Sequence, residues 1–325
     1  MILVTGGAGY IGSHLVKLLG EKGINSITLD NLSRGHREMV TWGKFVEGDL
    51  SDRDLVIDIL RAYDVKAVFH FAAHSLVGES EENPRIYYRN NVAGGIQLLD
   101  AMLEAGVKTI VFSSSAAVYG EPLRVPIDED HPTAPVNVYG TTKLIMENMM
   151  REYHAVYGLR FVSLRYFNAA GADPDGFIGE DHDPETHLIP LVLDAALGRR
   201  KEITVFGKDY DTPDGTCIRD YIHVTDLAEA HILALRYLEE GRGSAVYNLG
   251  NGRGFSVLDV IAAAEKVTAR TIPVRMGDRR KGDPARLVAS SERIIRELGW
   301  RPRYADLDVI VGTAWNWHQR RFSRT

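Results

Sequence analysis

The sequence predicts an α/β fold in which a doubly wound parallel sheet, covered by helices on both faces, is followed by a smaller mixed C-terminal part. Three observations carry this. Short β-branched runs alternate with longer stretches of helical spacing through the first half, a glycine-rich turn joins the first run to the first helical stretch, and the rhythm breaks after about Phe167. Strand-helix alternation implies parallel strands linked by crossovers, and strands read as continuous apolar runs when both faces are buried.

The elements follow in order. Strand-like runs stand at Ile2-Leu3-Val4, 24–29, 45–46, 67–71, 109–112 and 161–164. Between them apolar residues recur at helical spacing, as in Ile11, Leu15, Leu18 and Leu19, and again in Val92, Ile96, Leu99 and Leu103. A loop rich in Gly, Asp and Pro at 171–184 is longer than most connections inside compact domains. It marks a boundary between a dinucleotide-binding domain over 1–168 and a substrate domain over 169–325. A strand at 246–249 and helices around 225–238, 257–268 and 290–297 follow, and part of 220–250 is expected to rejoin the first domain.

Composition narrows the partners. The 325 residues carry a net charge of −6 with no long basic run, which argues against nucleic acid and against an anionic membrane surface. Cys217 is the single cysteine, so no intramolecular disulfide can form. The chain opens on Met1-Ile-Leu-Val-Thr without a charged and then apolar leader, and no run of about 18 apolar residues is present. Those features point to the cytoplasm.

Thr5-Gly-Gly-Ala-Gly-Tyr-Ile-Gly12 follows the first strand and opens the first helix. Gly7, Gly9 and Gly12 match G-x-G-x-x-G, and Gly6, Gly9 and Gly12 match G-x-x-G-x-x-G. Such glycines permit a tight turn and let helix N–H groups meet a pyrophosphate, the signature of a Rossmann-type dinucleotide site. Asp30 ends the next strand, where a carboxylate can accept hydrogen bonds from an adenosine ribose, and this favours NAD over NADP. Arg34 nearby argues mildly the other way.

Ser113, Ser114 and Ser115 stand at the carboxyl end of the fifth strand, where open parallel sheets bind ligands. Tyr139 and Lys143 follow at i, i+4 and share one helical face. An ammonium and a cationic nicotinamide favour a phenolate, so Tyr139 can remove a hydroxyl proton while hydride leaves the same carbon. Ser115 is expected to hydrogen-bond the same oxygen, and Lys143 to hold the nicotinamide ribose. Taken alone, Y-x-x-x-K is common by chance; the fingerprint upstream gives it weight.

Together with Asp30-Asn31-Leu32, Gly48-Asp49-Leu50, Phe71-Ala72-Ala73, Asn90-Asn91, Arg165-Tyr166-Phe167-Asn168, Arg219-Asp220-Tyr221, Tyr247-Asn248-Leu249-Gly250 and Arg279-Arg280-Lys281, these motifs make the whole chain resemble the nucleotide-sugar epimerases of the extended short-chain dehydrogenase/reductase family. The resemblance implies reversible C4 epimerisation of UDP-galactose and UDP-glucose through a 4-keto intermediate, with tightly bound NAD. It implies that Gly6, Gly7, Gly9, Tyr10, Ile11 and Gly12 hold the pyrophosphate, Asp30 and Asn31 the ribose, and Asp49 and Leu50 the adenine. Phe71, Ala72, Ala73, Asn90, Ser113 and Phe167 line the rest of the cofactor. Asn168 meets the sugar or its diphosphate, Leu188 and Phe206 the uridine, Arg219 and Arg280 the diphosphate, and Asp283 the uridine ribose. A homodimer joined by the helices around 91–105 and 139–156 is also implied.

The chain departs from its relatives in places. Ser75 replaces a lysine that touches the cofactor in many of them, and 284–287 lacks a large aromatic found in some, so the pocket is expected to admit N-acetylated sugars. Ala116-Ala117 stands where 4,6-dehydratases place an acidic pair, which disfavours that reaction. A uronate decarboxylase, a UDP-N-acetylglucosamine or uronate 4-epimerase and a non-catalytic NAD-sensing protein stay open as alternatives. The acidic loop with Asp173, Asp175, Glu180, Asp181, His182 and Asp183 reads as a solvated lid, with no metal assigned, while His70 and Cys217 read as packed structure.

Overall fold

The computed structural model describes residues 1–280 and 282–322. Six strands alternate with helices over the first half: β1 (Ile2–Thr5), β2 (Ser26–Asp30), β3 (Lys44–Glu47), β4 (Ala67–His70), β5 (Thr109–Ser113) and β6 (Arg160–Tyr166). The helices are α1 (Tyr10–Glu21), α2 (Arg53–Ala62), α3 (Val77–Glu82), α4 (Pro84–Tyr87), α5 (Gly94–Glu104) and α6 (Val138–Tyr157). Beyond them lie β7 (Asn168–Ala170), α7 (Leu188–Leu197), β8 (Ile203–Phe206), β9 (Ile218–Arg219), β10 (Tyr221–His223), α8 (Val224–Glu239) and β11 (Ala245–Leu249). The chain ends through β12 (Phe255–Ser256), α9 (Val257–Thr268), β13 (Val274–Gly277), β14 (Arg286–Leu287), α10 (Glu292–Leu298) and α11 (Leu307–Phe322).

The main sheet has seven strands in the order β11-β6-β5-β4-β1-β2-β3, every neighbouring pair parallel. Strand order therefore reverses beside β1, and the crevice beyond the carboxyl ends at that point is where doubly wound sheets take their ligands. Strands β1, β2, β4 and β5 are buried along their whole length, as their apolar runs require. Leu15, Leu19, Leu227 and Leu235 cover one face, and Val56, Leu60, Leu98, Leu99 and Met146 the other.

Local chemistry explains where the helices begin and end. The Asn137 side chain caps α6 by accepting the Gly140 N–H at 2.8 Å, and Gly158 ends it in the left-handed conformation at φ 71°. Ser256 and Asp259 close α9 with reciprocal side-chain-to-backbone bonds. Glu81 and Ser80 of α3 accept the N–H groups of Val138 and Tyr139, which ties the first turn of α6 to the β4 side of the cleft.

Strand β11 is the seventh strand, and α8, Ile294 and Trp300 pack into the same face of the sheet as α1. A separate core joins α7, α9, α11, β8 and β10. The short pairings β7–β10, β8–β13 and β9 with β12 and β14, and the whole of α11, have no counterpart in the sequence reading. Strands of two to four residues are too short to show a period, and they form only because distant segments meet.

Candidate active site

The carboxyl ends of β1, β4, β5 and β6 open onto a cleft of about 460 Å³. Gly6, Gly9, Tyr10, Ile11 and Gly12 line it from the first turn, Phe71 and Ala73 from beyond β4, Ser113 and Ser115 from β5, and Phe167 and Asn168 from β6. Tyr139 and Lys143 enter from α6, Leu188 from α7, and Asp283 from the C-terminal part. A smaller adjoining cavity is lined by Asp30, Asn31, Asp49, Leu50, Ala72 and Asn90.

The glycine turn is shaped to receive a phosphate. A side chain on Gly12 would sit 2.2 Å from the Gly6 carbonyl oxygen, and one on Gly6 2.5 Å from the Ala72 nitrogen. At Gly9 a Cβ would meet only that same carbonyl, at 3.4 Å, so the backbone there faces the cleft. Gly7 is different, because its absent side chain makes room for Thr28 and Val16 and lies off the cleft. Asp30 buttresses the turn through Ala8 N–H and Leu32 N–H, both at 2.9 Å, while burial holds its carboxyl above the usual range. Asn31 donates to Asp49 across the mouth of the smaller cavity. Arg34 donates to the Asp183 carbonyl at 2.9 Å and pairs with Glu79 at 2.5 Å, so its guanidinium is already engaged. These residues suit a dinucleotide with a free adenosine ribose.

At the centre, Ser115 caps a short helical turn by accepting the Ala117 N–H at 3.1 Å. Burial raises the Tyr139 phenol above its ordinary value, and a hydrogen bond with Ser115 pulls it the other way. Lys143 Nζ donates to the Ser113 carbonyl at 2.7 Å and lies 5.7 Å from the centre of the Tyr139 ring. Burial lowers the Lys143 ammonium to about 7, opposed by the charge of Glu147. Burial by itself therefore opposes the phenolate, which the sequence reading expects only where an ammonium and a cationic nicotinamide act on the phenol together.

The predicted nucleotide residues fall into two pairs. Arg219 is ion-paired with Asp283, and the Arg280 guanidinium stacks 4.1 Å from the centre of the Phe206 ring. Of these four only Asp283 borders the main cleft. Lys281 lies outside the described residues.

Other groups carry no local signature. Glu147, fully buried, accepts from Ser114 Oγ at 2.6 Å and from Arg165 Nε at 2.9 Å, while Arg165 donates onward to Tyr119 Oη. Tyr166 bonds Ser113 Oγ at 2.5 Å beside Lys143. In the loop at 171–184, read as a solvated lid, Asp175 and Asp183 are exposed, but Asp173 and Glu180 are only 2% and 6% exposed. Lys17 takes Asp173, and Trp317 donates to the Glu180 carbonyl. His70 bonds Thr5 Oγ1 and Cys217 is buried, both in structural roles.

A family model described as the NAD dependent epimerase/dehydratase family matches residues 2–250. The chain belongs to that family. Among its family relatives is a UDP-glucose 4-epimerase of Halalkalibacterium halodurans, 55% identical over 98% of this chain and 95% of that protein. The crystal structure of UDP-glucose 4-epimerase from Brucella ovis in complex with NAD superposes with a TM-score of 0.95 at 52% identity, covering 97% of each chain. The UDP-glucose 4-epimerase from Bifidobacterium longum in complex with NAD+ and UDP gives 0.93 at 40% identity, covering 99% of this chain and 98% of that one. Family membership accounts for the full course of the fingerprint, from the glycine turn to Leu249-Gly250. Among the described residues no helix is long and apolar enough to cross a membrane.

Proposed function

We propose that the chain interconverts UDP-galactose and UDP-glucose by inverting C4 of the hexose, with NAD retained between turnovers. The carrying observation is that Ser115, Tyr139 and Lys143 line one cleft with the glycine turn. The family assignment and the named activity of relatives at 50% identity or more support it. Inversion needs no net redox change. NAD would be held by the glycine turn, Asp30 and Lys143, and would supply reversible hydride acceptance at C4 of the sugar.

The chain's own residues do the rest. Tyr139 removes the 4-hydroxyl proton and later gives it back, and positive charge from Lys143 and from the oxidised cofactor favours the phenolate it must form. Ser115 holds the same oxygen. Lys143, anchored on the Ser113 carbonyl, also serves the cofactor ribose. We assign Arg219, Arg280, Phe206, Leu188 and Asp283 to the uridine diphosphate, so that the anchor stays fixed while the keto ring turns.

A 4,6-dehydratase is the reading the cleft disfavours, since Ala116 and Ala117 border it and neither can transfer a proton. We also propose a cofactor unit of residues 1–168 joined by α8 and β11, with a nucleotide-sugar unit from the remainder. A second copy is placed against α5 and α6, which pack through Gly95 and Met146 and a Tyr153–Asp100 bond, and the dimer is expected to work in the cytoplasm.

The deciding experiment incubates purified protein with UDP-galactose and no added cofactor. UDP-glucose should accumulate to an equilibrium mixture. Absence of turnover, or carbon dioxide released from UDP-glucuronate instead, would sink the proposal. Sedimentation velocity tests the dimer separately.

A further inference from the structure

On the wall of the cleft, where Glu180, His182 and His187 line it, the sequence Glu180-x-His182-x-x-Glu185-x-His187 folds back on itself. One donor atom from each of the four side chains lies within 4.8 Å of all the others. His182 Nδ1 is 3.2 Å from a Glu180 oxygen and 3.7 Å from a Glu185 oxygen, and His187 Nδ1 is 3.6 Å from the other Glu185 oxygen. The fourth edge, between His187 and Glu180, is also a direct contact. Four donors at about 2.0–2.1 Å from a common tetrahedral centre stand roughly 3.3–3.4 Å apart, and the 3.2, 3.6 and 3.7 Å separations, the last two through different Glu185 oxygens, lie near that spacing.

Two further observations point to a ligand. His182 Nδ1 has no accessible surface and makes no hydrogen bond among the described residues, although it is turned into the cluster between two carboxylates. A buried imidazole nitrogen that faces two carboxylate oxygens without a well-aligned hydrogen bond to either is placed as a metal donor would be. The cluster also gathers two carboxylates with side chains only 6% and 14% exposed. A divalent cation would offset the repulsion between two carboxylates held this close.

We propose that Glu180, His182, Glu185 and His187 form a binding site for one zinc ion. Two imidazoles with two carboxylates suit zinc-class ions, since magnesium and calcium prefer all-oxygen sets. All four positions come from protein, which makes the site closed and structural, with no open position for chemistry. Its outer contacts are in place: Trp317 Nε1 donates to the Glu180 carbonyl at 3.0 Å, and the Glu185 carboxylate accepts the Thr186 and His187 N–H groups. The same segment is fastened to the loop after β2, because Arg34 and His36 donate to the Asp183 and Asp181 carbonyls, both at 2.9 Å. The ion therefore stiffens a strap that runs from that loop to the start of α7.

The test loads the purified holoprotein with zinc chloride, removes weakly held metal on a chelating resin, and measures metal by mass spectrometry. Wild type should retain about one zinc per chain, and H182Q/E185Q should lose at least ~10-fold in retained metal, the scale seen even for outer contacts of metal sites. Equimolar cobalt on wild type should give the intense visible bands of a tetrahedral ion, a readout that needs no variant. Wild type with no retained zinc, or a folded variant holding as much as wild type, overturns the proposal, the latter marking adventitious metal only. Neither result depends on turnover, so it stands or falls apart from the epimerase reading.

Discussion

Lys143 Nζ lies 2.7 Å from the carbonyl oxygen of Ser113, so the strand that carries the central hydroxyls and the helix that carries the phenol are joined by one charge-assisted hydrogen bond. Glu147, one turn further along α6, secures the neighbouring Ser114 and pairs with Arg165. The positions of Ser115 and Tyr139 are thus set from beneath.

Tyr139→Phe removes the proton acceptor while keeping the ring. Its rate with UDP-galactose is expected to fall at least ~10²-fold, the usual range for a lost general base. Bound NAD, measured after denaturing the protein, should be unchanged. A variant of nearly normal rate removes the mechanism.

Lys143 carries a pH signature. Its folded value of about 7 lies below the 10.5 of an ordinary lysine, so between those limits the unfolded chain binds the extra proton. Stability contributed by this group therefore rises with pH from about 7 to 10.5. The difference in Tm between wild type and Lys143→Met is expected to grow in favour of wild type over that window and to be flat below it. A flat difference throughout would contradict the burial argument.

Glu147→Gln leaves the Arg165 guanidinium buried without its counter-charge. Breaking a buried pair in this way costs about 3–5 kcal/mol, which denaturant titration will read as a lower midpoint. The same variant loosens Ser114, so its residual activity should fall as well. Unchanged stability would mean that the pair is solvated in solution.

Gly12→Ala puts a methyl group within 2.2 Å of the Gly6 carbonyl oxygen, a contact that only a backbone shift can relieve. The purified variant is expected to contain little NAD, as seen by absorbance after cofactor release. Retention at the wild-type level would show that the turn is not shaped for the pyrophosphate.

Arg219→Ala should raise KM for UDP-galactose at least ~10-fold with a smaller change in kcat, since a hydrogen bond to a charged group contributes about 1.5–3 kcal/mol. An effect on kcat alone would move Arg219 from anchoring to chemistry.

Sequence alone settled what depends on short-range pattern. The strand runs and helical spacings of the first half, the glycine turn with Asp30, and the shared face of Tyr139 and Lys143 all repeat within a few residues, and the observed β1, β2, β5, α1 and α6 stand where those patterns lie. Tertiary structure alone decided the rest. Arg34 meets Asp183 across 149 positions, Tyr119 meets Asn248 across 129, and Trp317 meets Glu180 across 137. A composition rich in Asp, Gly and Pro told of a solvated loop at 171–184, yet within it Asp173 and Glu180 are buried because Lys17 and α11 come down on them. Pairings of that kind have no period and no spacing, because they exist only once the sheet has brought the two segments together.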